Sequence, residues 1–208
     1  MKRTGDEIRS ALVRQWELIS DAIPLIDLDR PSRVAGWRNL EVVAHLAVQP
    51  ALLSKFIARA SQAFAAEVSL EANLAGTRAM AAVIDTAARE AAAEPVAFAE
   101  NLHDALPVLR SADLTTTITS FQGPIRLTDY LITRCVEGVV HGRDVVQPIQ
   151  PDPVALEIAA GALKSVLAHR HPELLTELES MPTETWLDLA TGRAKAPRGL
   201  ARALPVMT

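Results

Sequence analysis

The segment from Tyr130 to Asp144 gathers the side chains best suited to chemistry. On a helix, Tyr130, Arg134, Glu137, His141 and Asp144 follow steps of four, three, four and three and form one polar stripe. Leu131, Ile132, Cys135, Val136, Val139 and Val140 cover the neighbouring faces. Glu137 and His141 lie one turn apart, so a carboxylate and an imidazole can reach a single ion. A third ligand must come from another helix, and His45, set in the apolar run Val42-Val43-Ala44-His45-Leu46-Ala47, is the best-placed candidate. Helix bundles build metal sites in this way, from side chains on facing helices. Two His and one Glu leave a coordination position open, as in a catalytic rather than a structural zinc site. Zinc is the first choice, and nickel, iron or manganese would accept the same set. The residues alone leave plainer readings open. A Glu-x-x-x-His spacing often arises by chance, and a lone His in an apolar helix is commonly a hydrogen-bonded core residue. Tyr130 with Arg134 can be a solvated face with a packed ring, and Asp144 can do no more than orient a His or cap a neighbouring helix.

The elements that must position these residues can be read from periodicity. A first helix starts near Thr4, with Asp6 and Glu7 in its first turn and a stripe of Ile8, Leu12, Trp16, Ile19 and Ile23. Pro24 and Pro31-Ser32 break it, and after Gly36-Trp37 a second helix runs from about Asn39 to Phe64, kinked by Pro50 just after His45. Ser69 caps a third helix reaching about Ala93, and Pro95 opens a fourth segment carrying Phe98, Leu102, Leu106 and Leu109. The β-branched run Leu114 to Phe121, ending at Gln122-Gly123-Pro124, reads as extended chain and turn, with Ile125-Arg126-Leu127 pairing back. Thr128 caps the helix that carries the polar stripe to about Val146. Asp152 caps a further helix with Pro153 at its first position, extending to about His169; His171-Pro172 restarts a short one. Thr185 to Gly192 alternates like a short strand.

Composition fits this picture. The 208 residues are 49% hydrophobic and 22% charged, with only 4% aromatics. Ala, Leu and Val dominate, which favours packed helices over a sheet sandwich. A formal net charge of -4 offers no footprint for general nucleic-acid binding. The single cysteine, Cys135, allows no internal disulfide. The first residues go straight into a charged amphipathic pattern, and no window holds a run of apolar residues long enough for a membrane span, so a cytoplasmic protein without a membrane partner is expected.

Two stretches resemble a known family. Pro31-Ser32-Arg33-Val34-Ala35-Gly36-Trp37-Arg38-Asn39-Leu40-Glu41-Val42-Val43-Ala44-His45-Leu46-Ala47 is similar to a signature of the mycothiol-dependent maleylpyruvate isomerase family, within the DinB-like bundles. There a Gly-Trp turn precedes a helix whose His binds the metal. The second signature resembles Gly123-Pro124-Ile125-Arg126-Leu127-Thr128-Asp129-Tyr130-Leu131 followed by Arg134 to Asp144, where Glu and His complete the site and the trailing Asp belongs to the pattern. The resemblance covers about residues 4 to 148. It implies a mainly α fold, a DinB-like four-helix bundle over residues 1–148, with metal ligands His45, Glu137 and His141. Residues 149–208 read as a small mixed α/β C-terminal appendage, shorter than the family's C-terminal domain and resembling a fragment of a sterol-carrier-like fold. No thiol-binding residue is carried over from that longer domain.

The resemblance also implies mycothiol as the thiol partner and a small electrophile as substrate. A metal-bound thiol is deprotonated outright. Its thiolate would add to an electrophilic carbon, either to be eliminated after rotation about the new single bond, as in an isomerase, or to leave with the product, as in a transferase. Arg134, one turn from Glu137, is the best local cation for a substrate carboxylate, with a structural ion pair an equal reading. Cys135 reads as a small core residue. Two other classes compete: a binding module whose chemistry has lapsed, and a metal-dependent hydrolase using bound hydroxide. Leu18, Leu25 and Leu28 offer a homodimer face, with core packing the preferred reading.

Overall fold

The computed structural model describes residues 3–60, 67–178 and 180–207. The first helix, α1 (Gly5–Ala22), opens on a capping box in which Thr4 Oγ1 accepts from the Glu7 amide and Glu7 accepts from the Thr4 amide. Ile8, Leu12, Trp16 and Ile19 of its expected stripe are buried, whereas Ile23 opens a short 3-10 turn at Pro24. The kink at Pro50 is a full break. Helix α2 (Asn39–Ala47) ends at Val48, and α3 (Gln49–Ile57) starts with Pro50 in its first turn, where a missing N–H costs nothing. The end of this helix expected at Phe64 lies outside the described residues. Together, Asn39–Ile57 is long and apolar enough to cross a membrane by length and composition, but more than half of it is buried inside the fold.

The helix expected from Ser69 to Ala93 is divided. Ser69 caps α4 (Leu70–Gly76) by accepting from the Ala72 amide; a 3-10 turn, Thr77–Met80, follows, and α5 (Ala81–Ala92) resumes. Gly76-Thr77 weakens the α-helix there, and the Thr77 hydroxyl donates back to the Leu74 carbonyl at 2.7 Å. Helix α6 (Phe98–Ser111) carries Phe98, Leu102 and Leu109 inward. The expected hairpin is present as β1 (Thr117–Ser120) and β2 (Gly123–Arg126), antiparallel with Thr117 opposite Arg126. Gly123 closes its turn with φ +117°, a backbone conformation that suits only glycine.

Helix α7 (Leu127–Gly142) starts one residue before the expected cap Thr128, because the hairpin feeds directly into it through Leu127 N–H to Thr116 C=O. It also ends at Gly142, so Asp144 lies in the turn beyond and not on the helix. Helix α8 (Pro153–Arg170) has the expected cap, with Asp152 accepting from the Val154 and Ala155 amides. A 3-10 stretch, Pro172–Leu178, follows.

Thr185 to Gly192 is not a strand. Helix α9 (Thr183–Ala190) occupies this stretch, burying Trp186, Leu187, Leu189 and Ala190. Those positions fit a helical face as well as an alternating one, and the Trp186 indole fixes the outcome by donating to the Ala160 carbonyl of α8. The fold is thus mainly α, and among the described residues its one sheet is the β1–β2 hairpin.

Helices α1, α2–α3, α6 and α7 form the bundle; α8 lies against α7, α1 and α4, and α9 packs on α8. A single apolar core runs through all of them. Leu18 and Leu25 are exposed rather than packed in that core, while Leu28 is partly buried against it.

Candidate metal centre

Helix α2 receives His45 from a tightly organised turn. Pro31 bridges to Arg38, Gly36 adopts φ +81°, and the Glu41 side chain accepts from the Arg38 amide, closing the start of the helix. Helix α7 supplies Glu137 and His141 one turn apart. The close approach of α1 to α7 is set by Gly138, where a Cβ would meet the Gln15 side chain at 3.1 Å.

The structure brings His45, Glu137 and His141 together, with one ligand atom from each lying within 4.8 Å of the others. His45 Nε2 is 3.0 Å and His141 Nε2 3.4 Å from the same Glu137 Oε2. The two imidazole rings meet edge-to-face with centroids 5.0 Å apart. Trp37 covers both, its centroid 5.7 Å from that of His45 and 6.2 Å from that of His141. The Trp37 indole donates to Asp85 on α5 at 2.6 Å.

Behind His141 stands a second layer. Asp144 Oδ2 lies 2.9 Å from His141 Nδ1 and is itself 1% exposed. Arg193, in the turn after α9, grips Asp144 with two bonds of 3.0 and 2.6 Å. The Asp144 carbonyl also accepts from the Arg33 amide, and Arg33 and Arg143 both reach Asp188 on α9. With Nδ1 engaged by a carboxylate, the His141 Nε2 is the nitrogen left for an ion, the arrangement usual for metal-bound His.

The electrostatics follow from burial and pairing. Desolvation opposes the charge on Glu137, but hydrogen bonds to His141 and His45, with the field of Arg134, hold its carboxyl well below the usual range. Desolvation also opposes a charge on His141; Asp144 and Glu137 outweigh it and raise its pKa to about 9. For His45, desolvation wins over the pull of Glu137 and the pKa falls. Asp144, opposed by burial yet held by His141 and Arg193, is lowered to about 2. A carboxylate that stays ionised and two converging imidazole nitrogens are a donor set that fits a divalent ion of the zinc type.

Two of the three, His45 and Glu137, line one side of a cavity of about 350 Å³ whose surface is mainly apolar, with neutral polar side chains such as Asn73 and Gln122 interspersed. Arg134 lies on its wall, stacked 4.7 Å over the Tyr130 ring and donating to Gln49 Oε1 and Thr133 Oγ1. Gln49 also contacts His45 Nε2 at 3.3 Å. Tyr130 and Arg134 thus face the cavity rather than bulk solvent. Cys135 points away from it, fully buried, and burial pushes its thiol up to about 12.

Of the functional neighbours, sequence reasoning missed Gln49, Asp85 and Arg193. Gln49 had a signal: it is a polar residue one turn after His45 in an apolar helix. Asp85 and Arg193 come from distant segments, and nothing in their local sequence marks them.

The model of the mycothiol maleylpyruvate isomerase N-terminal domain matches residues 8–146. A bundle whose core converges on a His-Glu-His cluster is the class of protein this fold defines. The match covers more than half of the chain, which belongs to that family. No curated protein and no solved structure matches it.

Proposed function

We propose that this chain is a metal-dependent thiol S-transferase or isomerase that takes mycothiol as its thiol and acts on a small electrophile bearing an anionic group. The carrying observation is the convergence of His45, Glu137 and His141, the first two of which line a cavity whose wall also presents Arg134. Bound there, a divalent ion would supply Lewis acidity and lower the pKa of a thiol so that it reacts as thiolate.

The protein's own residues do the rest. His45, Glu137 and His141 hold the ion; Asp144 accepts from His141 Nδ1 and keeps the ring turned toward the site. Trp37, pinned by Asp85, covers both imidazoles and keeps water from them. Arg134 binds the anionic group of the substrate, held in place by Gln49 and the Tyr130 ring.

The test follows conjugation of the electrophilic probe monochlorobimane by zinc-loaded protein, with mycothiol or cysteine as the thiol. A rate that saturates with mycothiol and is lost in Glu137→Gln with helical content intact supports the proposal. Thiol-independent cleavage of an ester substrate would replace it with a hydrolase, and inert, metal-loaded protein would leave a binding module.

A further inference from the structure

The cavity beside the triad joins the charged groups Arg134 and Glu137 to a largely apolar surface. Its apolar walls come from Leu52, Leu74, Met80, Val83, Ile84 and Phe121, with neutral polar side chains between them. Two of these keep large apolar surfaces in water at the mouth, Phe121 being 71% and Val83 58% exposed. Removing exposed apolar surface from water is favourable, so a ligand that bridges these side chains gains from them. A line of ring contacts leads inward: Phe121 meets Phe56 at 5.4 Å, Phe56 meets Tyr130 at 5.6 Å, and Tyr130 carries Arg134.

The lining carries one cation. Arg134 is the sole Lys or Arg among the described lining residues, and its hydrogen-bond partners Gln49 and Thr133 are neutral. Glu137, the lining carboxylate, is engaged by both imidazoles. One guanidinium can pair with one anionic group. A short dianion would find only neutral amides and hydroxyls, those of Asn73, Thr77, Ser120 and Gln122, for its second carboxylate, losing hydration with no second cation among the lining side chains in return.

Resting on the transfer reading above, we propose that the site selects an amphiphilic monoanion, an aliphatic or aryl body with a single anionic head, over a short dicarboxylate. The head pairs with Arg134 and the body runs toward Val83 and Phe121.

Calorimetric titration of the full chain as purified, without thiol, tests this with four probes: octanoate, 1-octanesulfonate, 1-octanol and maleate. The sulfonate separates pairing with Arg134 from ligation of an ion, because it is a poor metal ligand. Both octyl anions are expected to bind at least about tenfold more tightly than 1-octanol or maleate. Arg134→Gln should remove their advantage over 1-octanol while leaving 1-octanol unchanged. Val83→Glu, at an exposed position that folding does not require, should weaken all three octyl ligands. Tighter binding of maleate than of octanoate, or octanesulfonate affinity untouched by Arg134→Gln, overturns the proposal. Since no thiol is present, a chain that binds in the expected order yet turns nothing over loses the transfer reading alone. Thiol-dependent turnover with a preference for maleate loses the selectivity alone.

Discussion

His45 and His141 differ in how their rings are held. His141 has a buried carboxylate, Asp144, on its Nδ1, whereas the Gln49 amide meets His45 at Nε2, the nitrogen that also faces Glu137. Removing Asp144's charge should therefore weaken ion binding without removing a ligand. Asp144→Asn is expected to lower zinc affinity by about 10- to 100-fold, the usual range for an outer partner of a ligand His, as read by competition with a chromophoric chelator. Cys135 makes the opposite case. Its burial and raised pKa leave almost no thiolate at neutral pH, so it should resist a disulfide reagent such as DTNB in the native protein and react fully in guanidinium chloride. Labelling of the native chain at the rate of a free thiol would contradict this placement. At this scale the sequence was most legible. Local spacing on one helix marks Glu137 and His141, and an ionisable group in an apolar run marks His45, because burying such groups is costly unless they have partners.

Elements fold where caps and burial agree, and α8 shows both. Asp152 accepts from two amides at the helix start, and its carboxylate pairs with Arg14 of α1 at 2.7 Å. Asp152→Ala should cost about 1–2 kcal/mol, mostly the lost cap, since Arg14 is half exposed. Thermal unfolding should fall by about 2–4 °C per kcal/mol for a chain of this size. Burial raises the Asp152 pKa, but the Arg14 bond and the α8 amides outweigh it and the net shift is downward. A carboxyl lowered in the folded state contributes its stability above its unfolded pKa and loses it as pH falls through the folded one. The stability gap between wild type and Asp152→Ala in urea should therefore be full at pH 7 and shrink below about pH 4. A gap unchanged at pH 2.5 would contradict the charge pairing. The α9 segment shows why elements are less legible than residues. Trp186, Leu187 and Leu189 satisfy two periodicities, and only the hydrogen bond and packing offered by α8 choose between them.

Across the whole molecule, the C-terminal segment is tied to the cluster it does not belong to in sequence. The family match ends at residue 146, yet Arg193 holds Asp144 from beyond it, and Asp188 gathers Arg33 and Arg143 around the same turn. Arg193→Ala should leave helical circular dichroism unchanged and lower zinc affinity by about tenfold or more, with Arg193→Lys recovering part of it. Equal zinc affinity in wild type and Arg193→Ala would confine the segment to a packing role. This link was invisible in the sequence because it depends on how α8 and α9 return the chain across α7, a tertiary arrangement without a local signature. The proposed chemistry depends on the His-Glu-His cluster holding an ion. Elemental mass spectrometry of purified wild type, His45→Ala and His141→Ala addresses it most directly. The expected result is about one divalent ion per wild-type chain, lost in both variants. Wild-type protein that carries no metal and takes up none of zinc, nickel or manganese would contradict it.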